Sequence, residues 1–238
     1  MNKNSNTYQI VYSAIMVIIV GAVLALIYMI LKPQQDINRD NDTRKQILAA
    51  INVKPENDEA VATDYETYIV KEYLVNEQGA VTDSSQNVAF GVDMGKNMKE
   101  AQRKLPVFVA KVKDEVKYII PVYGAGLWGP IWGYVAVNAD GQSIYGTNFS
   151  HQGETPGLGA KITEDDFQKK FEGKHIYMAG AFNCVEVMKK GQKSLKGAET
   201  IDAISGATIT SRGVSAMMDD CLKPYDAFFK TLQGSTTK

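Results

Sequence analysis

Residues 202–213 read DAISGATITSRG. Four hydroxyl side chains, Ser205, Thr208, Thr210 and Ser211, crowd around Gly206 and Ala207, with Asp202 just upstream. A helical pattern follows. The residue types allow two chemistries. A helix starting near Thr210 or Ser211 would point its free N–H groups back at Ser205–Thr208, a natural place to hold an anion or to attach a phosphate. Alternatively, Thr210 or Ser211 is simply the helix cap.

Two further segments are too rich in glycine to read as ordinary connections. The stretch 124–133 is GAGLWGPIWG, and the stretch 151–161 is HQGETPGLGAK. In the latter, Pro156-Gly157 followed by Leu158-Gly159 makes a turn whose backbone can approach a flat ligand closely, because glycine carries no Cβ. Leu158 offers an apolar surface to one face of a ring. Glu154 and Thr155 offer an acceptor and a donor to its polar edge. A plain Pro-Gly turn also accounts for the composition. Each of the three segments borders an expected strand, and such loops commonly gather on one side of a sheet.

The elements that must position these loops follow from periodicity and turn chemistry. VFVAKVK and VKYIIPVY around Asp114-Glu115 predict one hairpin, and IWGYVAV with QSIYGTNF around Asn138–Gly141 predicts a second. Glu59–Val75 reads as helix passing into helix or strand, since Asn76–Gly79 is a good hairpin turn. Thr163 followed by acidic residues predicts a capped helix over TEDDFQKKFEG. IYMAGAFNCVEVMKKG returns to strand character. SRGVSAMMDDCLKPYDAFFKTL is helical from Ser211, with Pro224 kinking or splitting it. Hairpin-paired strands give an α+β domain with a largely antiparallel sheet and flanking helices.

The domain is preceded by an expected transmembrane helix. From Ile10 to Leu31 there is no charged residue, and at 1.5 Å per residue this run spans roughly 30 Å, the thickness of a bilayer core. It is longer than the apolar region of a cleaved signal peptide and lacks a small-residue exit. The expected organisation is an N-terminal tail at 1–9, a span at 10–31, a polar linker at 32–44 and a folded domain at 45–238. A short helix capped by Asp42 or Thr43 would enter that domain on Ile47, Leu48 and Ile51. Lys3 precedes the span, while Lys32, Arg39, Arg44 and Lys45 follow it. By charge alone the domain would stay in the cytoplasm, although long domains translocate largely regardless of charge.

Composition excludes several functions. The 238 residues carry a formal net charge of −1, against a nucleic-acid partner. Two histidines, His151 and His175, and two distant cysteines, Cys184 and Cys221, make a metal site built by this chain unlooked for. No GxGxxG follows a strand, so a dinucleotide site is not expected.

Together the segments resemble the family of FMN-binding domains that carry flavin covalently, through its phosphate, on a threonine. The family pattern is an aspartate, two residues, Ser/Thr-Gly-Ala and then the acceptor. Here that is Asp202-Ala203-Ile204-Ser205-Gly206-Ala207-Thr208, so the resemblance implies Thr208, not Thr210, as the acceptor. Glu154–Gly159, ETPGLG, matches as well. Two groups share these motifs, the C subunits of sodium-translocating NADH:quinone reductases and the G subunits of Rnf ferredoxin:NAD reductases. GLWGPIWGYVAV is similar to the former.

The resemblance implies a membrane flavoprotein that relays electrons within an oxidoreductase complex, with NADH oxidation and ubiquinone reduction on other subunits and sodium as the transported ion. It implies a separate flavin transferase, acting with FAD and Mg²⁺, that reads the motif including Asp202. It also implies a flavin domain on the periplasmic face of the inner membrane, which overrides the charge count. The expected cofactor-binding residues are Thr208, Ser205, Gly206, Ala207, Thr210, Glu154, Thr155, Pro156, Gly157, Leu158, Gly159, Lys161 and Trp128. Lys161 would sit at the flavin's electron-rich end or in solvent. Trp128 and Trp132 would line the flavin, meet a neighbouring protein of the complex or pack in the core. His151 reads as a loop residue. The cysteines could bridge on the oxidising side of a membrane, with two unpaired buried thiols as the default. A non-redox extracytoplasmic binding module is the reading that competes from outside the family.

Overall fold

The computed structural model describes residues 6–236. Residues 1–5 of the expected tail, Lys3 among them, and the last two residues lie outside the described part. The chain divides into two compact units, residues 1–43 and 44–238.

Helix α1 runs from Asn6 to Ala50 without a break. Its apolar portion has a mean hydropathy of 3.0 and none of it is buried, so it is long and apolar enough to cross a membrane. The expected fresh start at Asp42 or Thr43 does not occur. The Thr43 hydroxyl donates back to the Arg39 carbonyl, 3.0 Å away, as a residue inside a helix does. Residues 32–44 are therefore helical despite their polarity, and Pro33 lies within the helix. Lys32 donates to Asp36 at 2.8 Å and Gln34 to Asn38 at 2.9 Å, i,i+4 pairs that favour the helix over a flexible linker.

In the second unit, α2 (Ala60–Tyr68) leads directly into β1 (Ile69–Val75), and a turn returns the chain as β2 (Val81–Asp83). After α3 (Met94–Asn97) come the long strands β3 (Leu105–Val112), β4 (Glu115–Ala125), β5 (Pro130–Asn138) and β6 (Ile144–His151). They form a six-stranded sheet in the order β2-β1-β3-β4-β5-β6, antiparallel throughout. The first expected hairpin turns one residue early. Lys113 and Asp114 take positive φ, 49° and 66°, the backbone that matches strand twist in a two-residue turn.

A 3₁₀ turn at Gly159–Thr163 then precedes the short helix α4 (Asp165–Gln168). Thr163 does not cap it. Its hydroxyl donates to the Ala160 carbonyl, and Glu164 takes the capping position. The strand-like stretch that follows breaks into β7 (Tyr177–Met178), β8 (Ala181–Phe182) and β9 (Glu186–Met188), the last paired in parallel with β10 (Thr200–Asp202). Helix α5 (Thr208–Leu222) passes through a 3₁₀ turn at Lys223–Tyr225, where Pro224 lies, into α6 (Asp226–Thr236).

The strands are apolar almost without interruption because the sheet is covered on both faces. Leu105, Val107 and Val109 face one cluster with Val214, Met218 and Phe229. Their neighbours Phe108, Ala110 and Val112 face a second cluster with Ile47, Leu48, Ile51 and Tyr65. Helix α5 lies directly on β4. A Cβ at Gly213 would strike the Ala125 carbonyl oxygen, and one at Gly124 would lie 2.7 Å from the Met217 Cβ. Two glycines thus let helix and strand touch backbone to backbone, which brings the start of α5 to the β4–β5 end of the sheet.

Candidate functional site

The three glycine-rich segments meet at that end. The first is the β4–β5 hairpin loop, closed by the Gly126 N–H donating to the Gly129 carbonyl at 2.8 Å. The second follows β6, and its turn is set by the Thr155 carbonyl, which accepts from the amides of Leu158 and Ala160, both at 3.1 Å. The third leads into α5. The closeness of the last two is measured at Gly206, which has φ +78° and where a Cβ would sit 2.9 Å from the Leu158 Cδ2.

Glu154 ties them together. Its Oε1 accepts from the Trp128 amide at 2.9 Å, and its Oε2 accepts from the Thr210 hydroxyl at 2.6 Å. Its own N–H donates to His151 Nδ1 at 3.1 Å, which fixes that ring as an acceptor at Nδ1. Glu154 is 4 % exposed and Thr210 1 %. A Cβ at Gly126 would strike Oε1 and one at Gly159 would strike Oε2. Burial opposes the charge of Glu154. The Thr210 hydroxyl, then the Trp128 and Leu127 amides and His151, outweigh it, and the carboxyl sits below its ordinary range. Glu154 and Thr210 are therefore committed to each other. Each carboxylate oxygen of Glu154 already accepts one hydrogen bond within the chain.

Thr208 is the first residue of α5, two or three residues earlier than the sequence pattern puts the start. Neither Thr210 nor Ser211 is the cap. Ala207 occupies that position with no side-chain bond to give, and the Ser211 N–H closes the first helical bond to the Ala207 carbonyl at 2.9 Å. The Ser211 hydroxyl accepts from the Ile204 amide at 3.2 Å and so holds the preceding loop. Thr208 is half-buried at a cleft of about 380 Å³. Arg212, one helical turn on, lines the same cleft with Lys189, Gln192 and Lys196 from the loop after β9 and with Asp219 from α5.

The other expected residues spread around this point. Ser205, Gly206, Thr155, Pro156 and Gly157 are exposed or nearly so, Ala207 and Gly159 are buried, and Lys161 is half-buried. Trp128 is 67 % exposed, and Leu127, Leu158 and Ile209 are exposed with it. Trp132, half-buried, donates from its indole to Gln46 Oε1 at 3.0 Å. Sequence reasoning missed Arg212, whose signal was its i,i+4 spacing from Thr208. It also missed Leu127 and Ile209, which look like core residues until the fold exposes them. Cys184 and Cys221 are both free and buried, the unpaired default. Among the described residues no His/Cys/Asp/Glu cluster suited to a metal is present.

The same region matches known proteins. Residues 126–223 match the FMN-binding domain family. Among the C subunits of Na(+)-translocating NADH-quinone reductases, that of Haemophilus ducreyi is 30% identical, with 98% of this chain and 98% of the relative covered. The chain belongs to the family of these C subunits. The Chlamydia muridarum relative is 32% identical over 70% of this chain, and the chain spans only 57% of that relative's length. The same family supplies solved structures. The crystal structure from Parabacteroides distasonis superposes with a TM-score of 0.76 at 46% identity, covering 84% of this chain and 96% of that one. That of Shewanella oneidensis NqrC gives a TM-score of 0.68 at 26% identity, over 83% and 99%. The α+β fold read from the sequence, antiparallel sheet and N-terminal apolar helix included, is the fold that this family member adopts.

Proposed function

We propose that this chain carries FMN covalently, through a phosphoester to the Thr208 hydroxyl, and serves as an electron relay in a Na⁺-translocating NADH:quinone oxidoreductase. The observation that carries this reading is the position of Thr208. It opens a fifteen-residue helix whose cap, Ala207, makes no side-chain hydrogen bond to the first turn. The first-turn N–H groups and the helix dipole there favour a negative phosphate. Thr208 lines a cleft, and Arg212, one helical turn on, lines it too. Leu127, Leu158, Trp128 and Ile209 offer exposed apolar surface of the kind a flat ring system covers. The residues present thus fit a flavin nucleotide at both its charged and its apolar ends.

FMN, when bound, supplies single-electron and two-electron transfer. The chain's own part is to fix it. Ser205, Gly206, Ala207, Thr208 and Arg212 would surround the phosphate. Thr155, Pro156, Gly157, Leu158 and Trp128 would flank the ring, with Lys161 nearby. Glu154, Gly159 and Thr210 would hold the frame. In this reading residues 10–31 anchor the chain in the inner membrane, 32–44 connect, and 45–238 form the flavin-carrying domain on the periplasmic side. Its partners are the other proteins of the complex and, for maturation, a flavin transferase. NADH and quinone react elsewhere.

The test is a denaturing gel viewed under ultraviolet light, on the full chain expressed with its flavin transferase. The expected result is a fluorescent band that Thr208→Ala abolishes and Thr210→Ala retains. A dark wild-type band would favour a non-redox binding module. The reverse pattern in the two variants would move the attachment to Thr210.

A further inference from the structure

The carboxylate of Glu154 lies one hydrogen bond from Thr210, and hence beside the first helical turn that begins at Thr208. It belongs to a different segment, 56 residues away in sequence, and both its oxygens are held. The amide of Trp128 supports one side and the hydroxyl of Thr210 the other, and the carboxylate occupies the space that side chains at 126 and 159 would otherwise fill. A charge held this firmly does not relax when the charge of a neighbouring group changes. In a poorly hydrated setting its field is felt more strongly than in water.

We infer that Glu154 is a positioning residue that also sets the reduction potential of the flavin: its negative charge, held on the Trp128 amide and in the Leu158 loop that would flank the ring, makes each added electron harder to accept. This rests on the assignment of the flavin to Thr208. Each electron taken up adds negative charge to the flavin unless a proton follows. A carboxylate that cannot move away opposes that gain, whereas a neutral group of the same shape does not. The carboxyl's position below its ordinary range agrees with its being ionised at neutral pH.

Glu154→Gln separates the charge from the frame. Its amide oxygen can accept from the Trp128 N–H, and its NH₂ can donate to the Thr210 hydroxyl oxygen, so both bonds of the frame are kept without the charge. The experiment is a spectroelectrochemical titration of the flavin in the full-length, flavin-loaded chain, wild type against Glu154→Gln, with the fluorescent gel band run in parallel. The expected result is an undiminished band and a higher midpoint potential in the variant. A purely structural role predicts an unchanged potential.

An unchanged or lowered potential with the band retained overturns the proposal. So does a folded variant with a dark band, because Glu154 would then serve attachment. If Glu154→Gln does not fold, Glu154→Asp takes its place. It keeps the charge but withdraws it by one methylene from Thr210, and a smaller upward shift is expected; no shift or a downward one overturns the proposal. Failure of the underlying assignment is read separately. A fluorescent Thr208→Ala chain would sink the attachment at Thr208 without touching the comparison of potentials.

Discussion

Thr210→Val isolates the bond that joins the loop after β6 to helix α5. Valine matches threonine in shape, and position 210 is 1 % exposed, so the variant removes a hydroxyl and little else. What is lost is a 2.6 Å hydrogen bond to a buried carboxylate. Hydrogen bonds to charged groups contribute about 1.5–3 kcal/mol, and a buried charge deprived of one donor adds a desolvation cost. A destabilisation of about 2–3 kcal/mol follows, which for a domain of this size lowers the melting temperature by roughly 5–10 °C.

The pH dependence sharpens the test. Burial works to raise the Glu154 carboxyl, yet Thr210 first, and then the amides of Trp128 and Leu127, hold it below the ordinary glutamate value of 4.5. Its ionisation therefore favours folding above pH 4.5, and that contribution disappears as the pH falls through the depressed value of the folded state. In Thr210→Val the largest of these supports is gone. The gap in melting temperature between wild type and variant should be widest near neutrality and should narrow in acid. The assay is a set of thermal melts of the detergent-solubilised chain, followed by circular dichroism, from neutral pH into acid. A gap below about 0.5 kcal/mol near neutrality, within the range of unremarkable surface changes, would refute the reasoning. So would a gap that stays constant with pH.

Two glycines in the same loop should behave in opposite order to their backbone angles. Gly159→Ala drives a methyl into the Glu154 carboxylate and should cost about 1–3 kcal/mol by overpacking, whereas Gly157→Ala, at φ +76° but in open space, should cost about 1 kcal/mol through backbone strain alone; denaturation midpoints decide, and equal losses would count against the crowding at Gly159. The cysteines should be inert in the folded chain. Burial pushes both thiols up, that of Cys221 to about 11, so roughly one thousandth of it is thiolate at about pH 8; native iodoacetamide labelling followed by mass spectrometry should modify neither, and rapid alkylation or a Cys184–Cys221 crosslink would contradict this.

The legible parts of the fold were those with a local cause. The hairpin at 113–114 is marked by charged turn residues between apolar runs, and the break at Pro224 by a missing N–H. The uninterrupted apolar strands were readable as strands, but not the fact that alternate residues enter two separate cores, since that depends on what covers each face. Residues 32–44 look like a linker because they are polar. They are helical because side chains four apart pair along one continuous helix, which composition does not reveal. The start of α5 was misjudged by two or three residues for a similar reason. Thr210 and Ser211 are good capping residues, but Glu154 and Ile204 claim their hydroxyls, leaving alanine at the cap.

What this sequence determined by itself is therefore chemical: an apolar run of bilayer length, and three segments rich in glycine and small hydroxyl residues, at 124–133, 151–161 and 202–213. Those depend on residue types next to one another in the chain. Tertiary structure decided the role of each polar group within them. Glu154 and Thr210 both looked available to a ligand, and only their approach across 56 residues of chain turns them toward each other. Thr208 is left at a cleft because Gly124 and Gly213 let α5 settle against β4. The partner of a side chain is a matter of distance in space, which adjacency in sequence does not encode.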